Sequence, residues 1–193
     1  MATTQEKKIL RTALEKYEGK IEHMYLDTKG YVTVGVGHLL KDVAAAQKLN
    51  LIQQKGGKKA TAADIKADYD AVKKQPMGLF AALYKQHTKL KLSAADIDAL
   101  TDKHIDSFEK ELNIIYGVSE FTAFPSEVRL ALFDMIFNLG MPKLRNGFPT
   151  MNKHIKAKDW AAAAGESSRK GIAKARNQYV EDLFLKAAKA KTP

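Results

Sequence analysis

Apolar residues recur every three or four positions along most of this chain, and every second position in one stretch, residues 24–36. The helical period starts early. Ile9, Leu10, Ala13, Leu14 and Tyr17 form one stripe, Thr3 with Glu6 makes a capping-box pattern, and Gly19 supplies a stop, so a helix is expected over residues 4–17. Val32, Val34 and Val36 then alternate with Tyr31, Thr33 and Gly35, and Asp27-Thr28-Lys29-Gly30 reads as a tight turn between two strands. No other stretch alternates convincingly. Beyond His38 the helical period returns: a short alanine-rich segment over 42–49, and a helix opened by Thr61 and Asp64 that runs to about Lys74 with Ile65, Tyr69 and Val72 inward. Pro76 and Gly78 interrupt the pattern.

Ser93 with Asp96 opens a longer helix, in which Ile97, Leu100, Ile105, Phe108, Leu112 and Ile115 recur at helical spacing. Its length suits a spine joining two lobes. Pro125 starts another helix, with Val128, Leu132, Met135, Ile136 and Leu139 inward and Gly140 ending it. Shorter helices follow over 148–155 and 160–164, and a last one over 172–189. The pattern predicts an α+β, mostly helical fold in one domain. A small lobe over about 18–92 would hold the hairpin and added helices. A larger helical lobe would be built from about 1–17 and 93–193, and a cleft between lobes is where a ligand is expected.

The 193 residues can bury a core without covalent staples. The chain contains no cysteine, which excludes disulfides, thiolate metal sites and a thiol nucleophile. The five histidines, His23, His38, His87, His104 and His154, show no metal-ligand spacing, so no metal or cofactor is expected. The amino terminus carries no apolar signal segment and no run has transmembrane length, which predicts synthesis in the cytoplasm. A net charge of +10 favours polyanionic partners. The lysines at 55, 58, 59, 186, 189 and 191 read as solvated faces that raise the on-rate to an anionic envelope.

Glu18 ends the first helix and Asp27 enters the hairpin turn, with Thr33 on the returning strand. Cleaving a glycosidic bond takes one carboxylic acid to protonate the leaving oxygen and a second carboxylate to attack or to activate water. Glu18, at a helix terminus, suits a partly buried acid. Asp27, on the hairpin, suits an ionised one, and Thr33 can share its face and hold the water. Two carboxylates nine apart occur in almost any chain, most of them as surface charges, so spacing does not by itself assign catalysis.

The residues around them add to this. Glu18-Gly19, Tyr25-Leu26-Asp27-Thr28-Lys29-Gly30-Tyr31, Thr33 and Gly35-Val36-Gly37-His38-Leu39-Leu40 closely resemble the phage-type lysozymes, muramidases that include endolysins and related bacterial toxin domains; Glu18, Asp27 and Thr33 match their E-x(8)-D-x(5)-T pattern. The block 129–140 is a second match, and Phe148, residues 160–164, Ser168-Arg169 and Arg176 a looser third. The resemblance implies a lysozyme-like fold and a monomeric hydrolase of bacterial peptidoglycan. It would cut the β-1,4 bond between N-acetylmuramic acid and N-acetylglucosamine, with inversion, causing lysis. Glu18 would be the general acid, Asp27 the base and Thr33 the water-positioning group. Leu39, Phe137, Asn138 and Arg169 would bind substrate, with Arg176 pairing with the glutamate and His38 in support. The family places an aspartate opposite His38, where this chain has His104; Asp102 or Asp106 would substitute.

The stretch 40–92 is longer than compact members have. Action in the periplasm or wall implies delivery by another system, and a toxin domain implies a cognate inhibitor or immunity protein. The rival reading is a non-catalytic basic module that binds wall glycan or another polyanion on the same scaffold. A nucleic-acid module would show an arginine-dense helix or aromatic platforms, and neither is evident, so no nucleic-acid partner is expected.

Overall fold

The computed structural model describes residues 1–190, so Lys191 lies outside the described residues. The chain divides into two compact units, Leu14–Asp102 and a second built from residues 1–13 with 103 onward. Both boundaries fall inside helices, at α1 (Thr4–Glu18) and α4 (Ala94–Tyr116).

The first unit begins at the end of α1. Gly19 follows with φ +81°, a left-handed corner that glycine adopts without strain. Lys20 then bridges Glu15 at 2.7 Å and Asp98 at 2.5 Å, tying this corner to both helices. The chain enters an antiparallel sheet of β1 (Ile21–Leu26), β2 (Val32–Gly35) and β3 (His38–Leu39), in that order. Tyr25 lies opposite Thr33 and Leu26 opposite Val32; the register shifts between Ile21 and Tyr25. The alternation puts the valines on one side of β2 and Thr33 and Gly35 on the other, and all four residues of the strand are buried. Gly35 shows one reason: a β-carbon there would stand 3.5 Å from Ile97 of α4, so helix covers that face.

The segment expected to be wholly helical holds more. It runs through α2 (Val43–Gln47), β4 (Ile52–Gln53), α3 (Ala62–Lys73), a 3₁₀ helix over Ala81–His87 and β5 (Leu90–Lys91). Asp42 caps α2, accepting from the Ala45 N–H at 2.7 Å. Thr61 and Asp64 form the expected capping box of α3. Ile65, Tyr69 and Val72 are buried as the period requires, and so is Asp68. The Asp68 carboxylate accepts from the N–H groups of Lys89 and Leu90, fastening α3 to β5. β4 and β5 pair antiparallel as a second small sheet that no alternation announced.

In the second unit α6 (Ser126–Leu139) is buried almost all round, from Val128 through Ile136. A helix with that burial sits inside a core rather than on it. Leu10, Ile105, Leu112, Val180 and Phe184 pack in the same cluster. Phe121, Phe124, Phe133 and Trp160 extend it through edge-to-face ring contacts 5.3 to 6.1 Å apart. Around them run α5 (Val118–Ala123), α7 (Met141–Gly147), α8 (Pro149–Lys156), α9 (Trp160–Gly165) and α10 (Lys174–Ala190). The first two of these were not expected. The start of α1 belongs here too, capped by Thr3 and Glu6 reciprocally. Ile9, placed on its apolar stripe, is exposed, while Glu6 is buried and pairs with Arg129 at 2.5 Å.

Candidate functional site

Glu18 and Asp27 stand at the two ends of β1, Glu18 as the last residue of α1 and Asp27 as the first beyond the strand. Glu18 is exposed rather than half-sunk, because α1 delivers it at its very end, where no following turn covers it.

Asp27 is held by the turn it opens. Its Oδ1 accepts from the N–H of Lys29 at 2.8 Å and of Tyr31 at 2.9 Å, and its own N–H donates to the Tyr31 carbonyl. A carboxylate that accepts two backbone N–H groups has a set orientation. Gly30, with φ +76°, permits this turn; a side chain there would also approach Met77 of the loop after α3. Lys73, the last residue of α3, donates to the Gly30 carbonyl at 2.8 Å and lies 5.9 Å from the centre of the Tyr31 ring. The added segment therefore braces the hairpin that carries Asp27, a role with no local signal in the sequence.

Thr33 pairs with Tyr25 on one side and Leu39 on the other, in the middle strand of the sheet. It is 3% exposed, and its hydroxyl donates to the Tyr31 carbonyl at 3.2 Å. With its proton used there, the oxygen keeps acceptor capacity only. Leu39 is 48% exposed. His38 is half-buried on β3 opposite Val34.

Tyr25, for which the sequence showed no role of its own, lies between the two carboxylates. Burial raises its phenol above the usual 10.0, and the negative charges of Asp27 and Glu18 raise it further. One side chain thus senses both carboxylates. It sits on the strand that separates them, half-buried and opposite Thr33.

The other expected site residues lie in the second unit. Phe137 and Asn138 are half-buried near the end of α6, and the Phe137 ring meets Phe108 edge-to-face at 5.7 Å. Arg169 does not fit its expected role as a substrate contact. It is 2% exposed, and its guanidinium donates to Asp134 at 2.7 Å, to the Asn177 amide oxygen and to the Arg176 carbonyl. A guanidinium spent on internal acceptors is a structural group. Arg176 gives its Nε to both Asp134 oxygens, at 3.2 and 3.1 Å. Asp134, missed in the sequence because it reads as one more polar residue on an apolar helix, organises both arginines. Asp106, considered as a partner for His38, is paired with Lys7. Among the described residues no three His, Cys, Asp or Glu side chains gather as a metal site would require.

With this geometry in hand, the likeness to known proteins can be placed. Residues 15–83, which include Glu18, Asp27 and Thr33, match the phage lysozyme family model. The chain is 26% identical over 159 residues to a probable T4-type lysozyme of Dictyostelium discoideum, covering 81% of this chain and 80% of that one. Its fold is shared with a crystal structure of a P22 lysozyme mutant, at TM-score 0.58 and 18% identity over 96% of this chain and 98% of the other. The likeness to the phage lysozymes thus spans the segment that carries Glu18, Asp27 and Thr33, and it supports a lysozyme-type enzyme, a muramidase-type hydrolase of peptidoglycan.

Proposed function

We propose that the chain hydrolyses the β-1,4 bond between N-acetylmuramic acid and N-acetylglucosamine, with inversion, and that this cleavage lyses cells. Glu18 gives its proton to the departing oxygen. Asp27, oriented by the Lys29 and Tyr31 N–H groups, draws the proton from water on the opposite face of the sugar. The Thr33 hydroxyl, already donating to the Tyr31 carbonyl, meets that water as an acceptor and sets its position. Inversion needs room for the water, a carboxyl separation of about 6.5–9.5 Å. The observation that supports the reading is the placement of both carboxylates at the two ends of β1, with Asp27 oriented by two backbone N–H groups. Of the expected substrate contacts, exposed Leu39 and half-buried Phe137 and Asn138 stay in the proposal, and buried Arg169 leaves it. The enzyme acts as a monomer on wall glycan in the periplasm, delivered there by another system.

Digestion of purified sacculi by wild-type protein, Glu18→Gln and Asp27→Asn tests this, with products read by mass spectrometry and the anomer by NMR. Muramic acid at new reducing ends, first released as the inverted anomer, is expected from wild type. Each variant should bind sacculi yet lose about 10²-fold or more in rate, the contribution typical of a positioned acid or base. Clearing of sacculi by Glu18→Gln at near wild-type rate would remove Glu18 from the mechanism.

A further inference from the structure

Four of the six exposed large apolar side chains of the first unit are gathered in one short piece of chain, the other two being Tyr31 and Leu39. In the loop after α3 and the 3₁₀ helix that follows, Met77 is 65% exposed, Leu79 40%, Phe80 86% and Leu83 48%. Four apolar side chains within seven residues are more than scattered surface exposure. They are not a floppy tip. Tyr84, fully buried, donates its hydroxyl to the Pro76 carbonyl at 2.7 Å and so closes the loop from within. His23 of β1 hydrogen-bonds the Ala81 carbonyl at 2.9 Å, and the Leu83 N–H donates to the Phe80 carbonyl. The backbone is thus anchored on its inner side while Phe80 is held outward.

The chain that flanks this display is basic, with Glu22 of β1 the acidic side chain beside Ala82 and Lys85. No aspartate or glutamate occurs between Asp70 and Asp96, while Lys73, Lys74 and Lys85 flank the apolar residues and are exposed. Two classes of occupant fit poorly. Met77 and Phe80 are of types found at protein interfaces, but such interfaces are depleted in lysine and their strongest contacts favour tryptophan and arginine, neither of which occurs in the unit from Leu14 to Asp102. Glycan surfaces use aromatic faces edged by hydrogen-bonding side chains, whereas three of these four residues are aliphatic. An apolar tip that enters the acyl boundary, ringed by lysines at headgroup level, is the chemistry of peripheral attachment to an anionic bilayer.

We propose that the 77–83 tip and its flanking lysines dock this enzyme on anionic phospholipid, as a peripheral contact with no spanning segment. The contact adjoins the hairpin turn that carries Asp27, through Lys73 and Met77, but does not depend on the catalytic reading.

The test is sedimentation of the full chain with vesicles of phosphatidylglycerol and phosphatidylcholine in equal parts, and with phosphatidylcholine alone, at low and high salt. Expected is binding to the mixed vesicles, weakened by salt and by removal of the anionic lipid. Phe80→Ser/Leu83→Ser should lower partitioning about tenfold or more, since it removes apolar area. Lys74→Gln should lower it about fivefold. Thermal melts of both variants should match wild type, the altered side chains being exposed. Three outcomes overturn the proposal. One is failure of wild type to bind the mixed vesicles at low salt. Another is undiminished binding by the Phe80→Ser/Leu83→Ser variant, which would reduce the effect to diffuse charge. The last is loss by that variant of sacculus retention, or of a dimer in light scattering, with vesicle binding unchanged; either would assign the tip to glycan or to a second copy of the chain.

Discussion

Asp134→Asn tests whether one buried carboxylate holds the second unit together. The Asp134 side chain is 1% exposed, with Arg169 at 1% and Arg176 at 6%. It accepts at 2.7 Å from Arg169 and at 3.1–3.2 Å from Arg176, so one anion faces two cations out of water. The amide keeps the shape and one acceptor oxygen but removes the negative charge that Arg169 and Arg176 face here. Breaking a buried pair from one side costs about 3–5 kcal/mol, because the remaining charge stays desolvated. Against a total stability of about 5–15 kcal/mol that is a large fraction. For a chain of this length each kcal/mol moves the melting point by about 2–4 °C, so a drop of roughly 6–20 °C is expected. Circular dichroism during heating, with urea unfolding at fixed temperature, measures both quantities. A second substitution separates charge from shape. If the stranded cation is the cause, Asp134→Asn with Arg169→Met should recover part of what the single change loses, as a double-mutant cycle would show. Unfolding of Asp134→Asn within about 1 kcal/mol of wild type would refute the reasoning, as would a double variant weaker than the sum of its parts.

Lys73→Met should lower kcat severalfold with KM little changed, because it removes the donor to the Gly30 carbonyl and loosens the turn that aims Asp27. Lys73→Arg should restore most of the rate, and in an Asp27→Asn background Lys73→Met should have no further effect. Glu6 predicts an acid limb of stability. Burial opposes its charge, but the Thr3 N–H, the Ser126 hydroxyl and Arg129 outweigh that and hold its carboxyl below the usual 4.5. A folded value below the unfolded one gives stabilisation that is complete above about 4.5 and is lost as pH falls through the folded value. Urea midpoints measured from neutral pH downward should therefore fall below about pH 4.5, and Glu6→Gln should flatten that slope.

The parts of this protein that could be read from the chain share one property: their signals are local. Capping boxes at Thr3 and Thr61, the period of α4 and α6, and the turn at Asp27 each involve residues a few positions apart. The spacing of Glu18, Asp27 and Thr33 belongs to the same kind, being set within one helix end and one hairpin. Pairing over distance left no such trace. β4 and β5 are two residues each, too short to show alternation, and they meet only because Asp68 and the intervening chain bring Gln53 to Leu90. Tertiary packing likewise decided that Thr33 lies buried, since α4 covers the side of the strand that Gly35 shares, which alternation alone leaves unassigned. Arg169 is the plainest case. Its side chain suits a ligand or a core equally well by type, and what chose between them was a carboxylate 35 residues upstream. A charge out of water takes the nearest buried counter-charge, and only the folded chain determines which one that is.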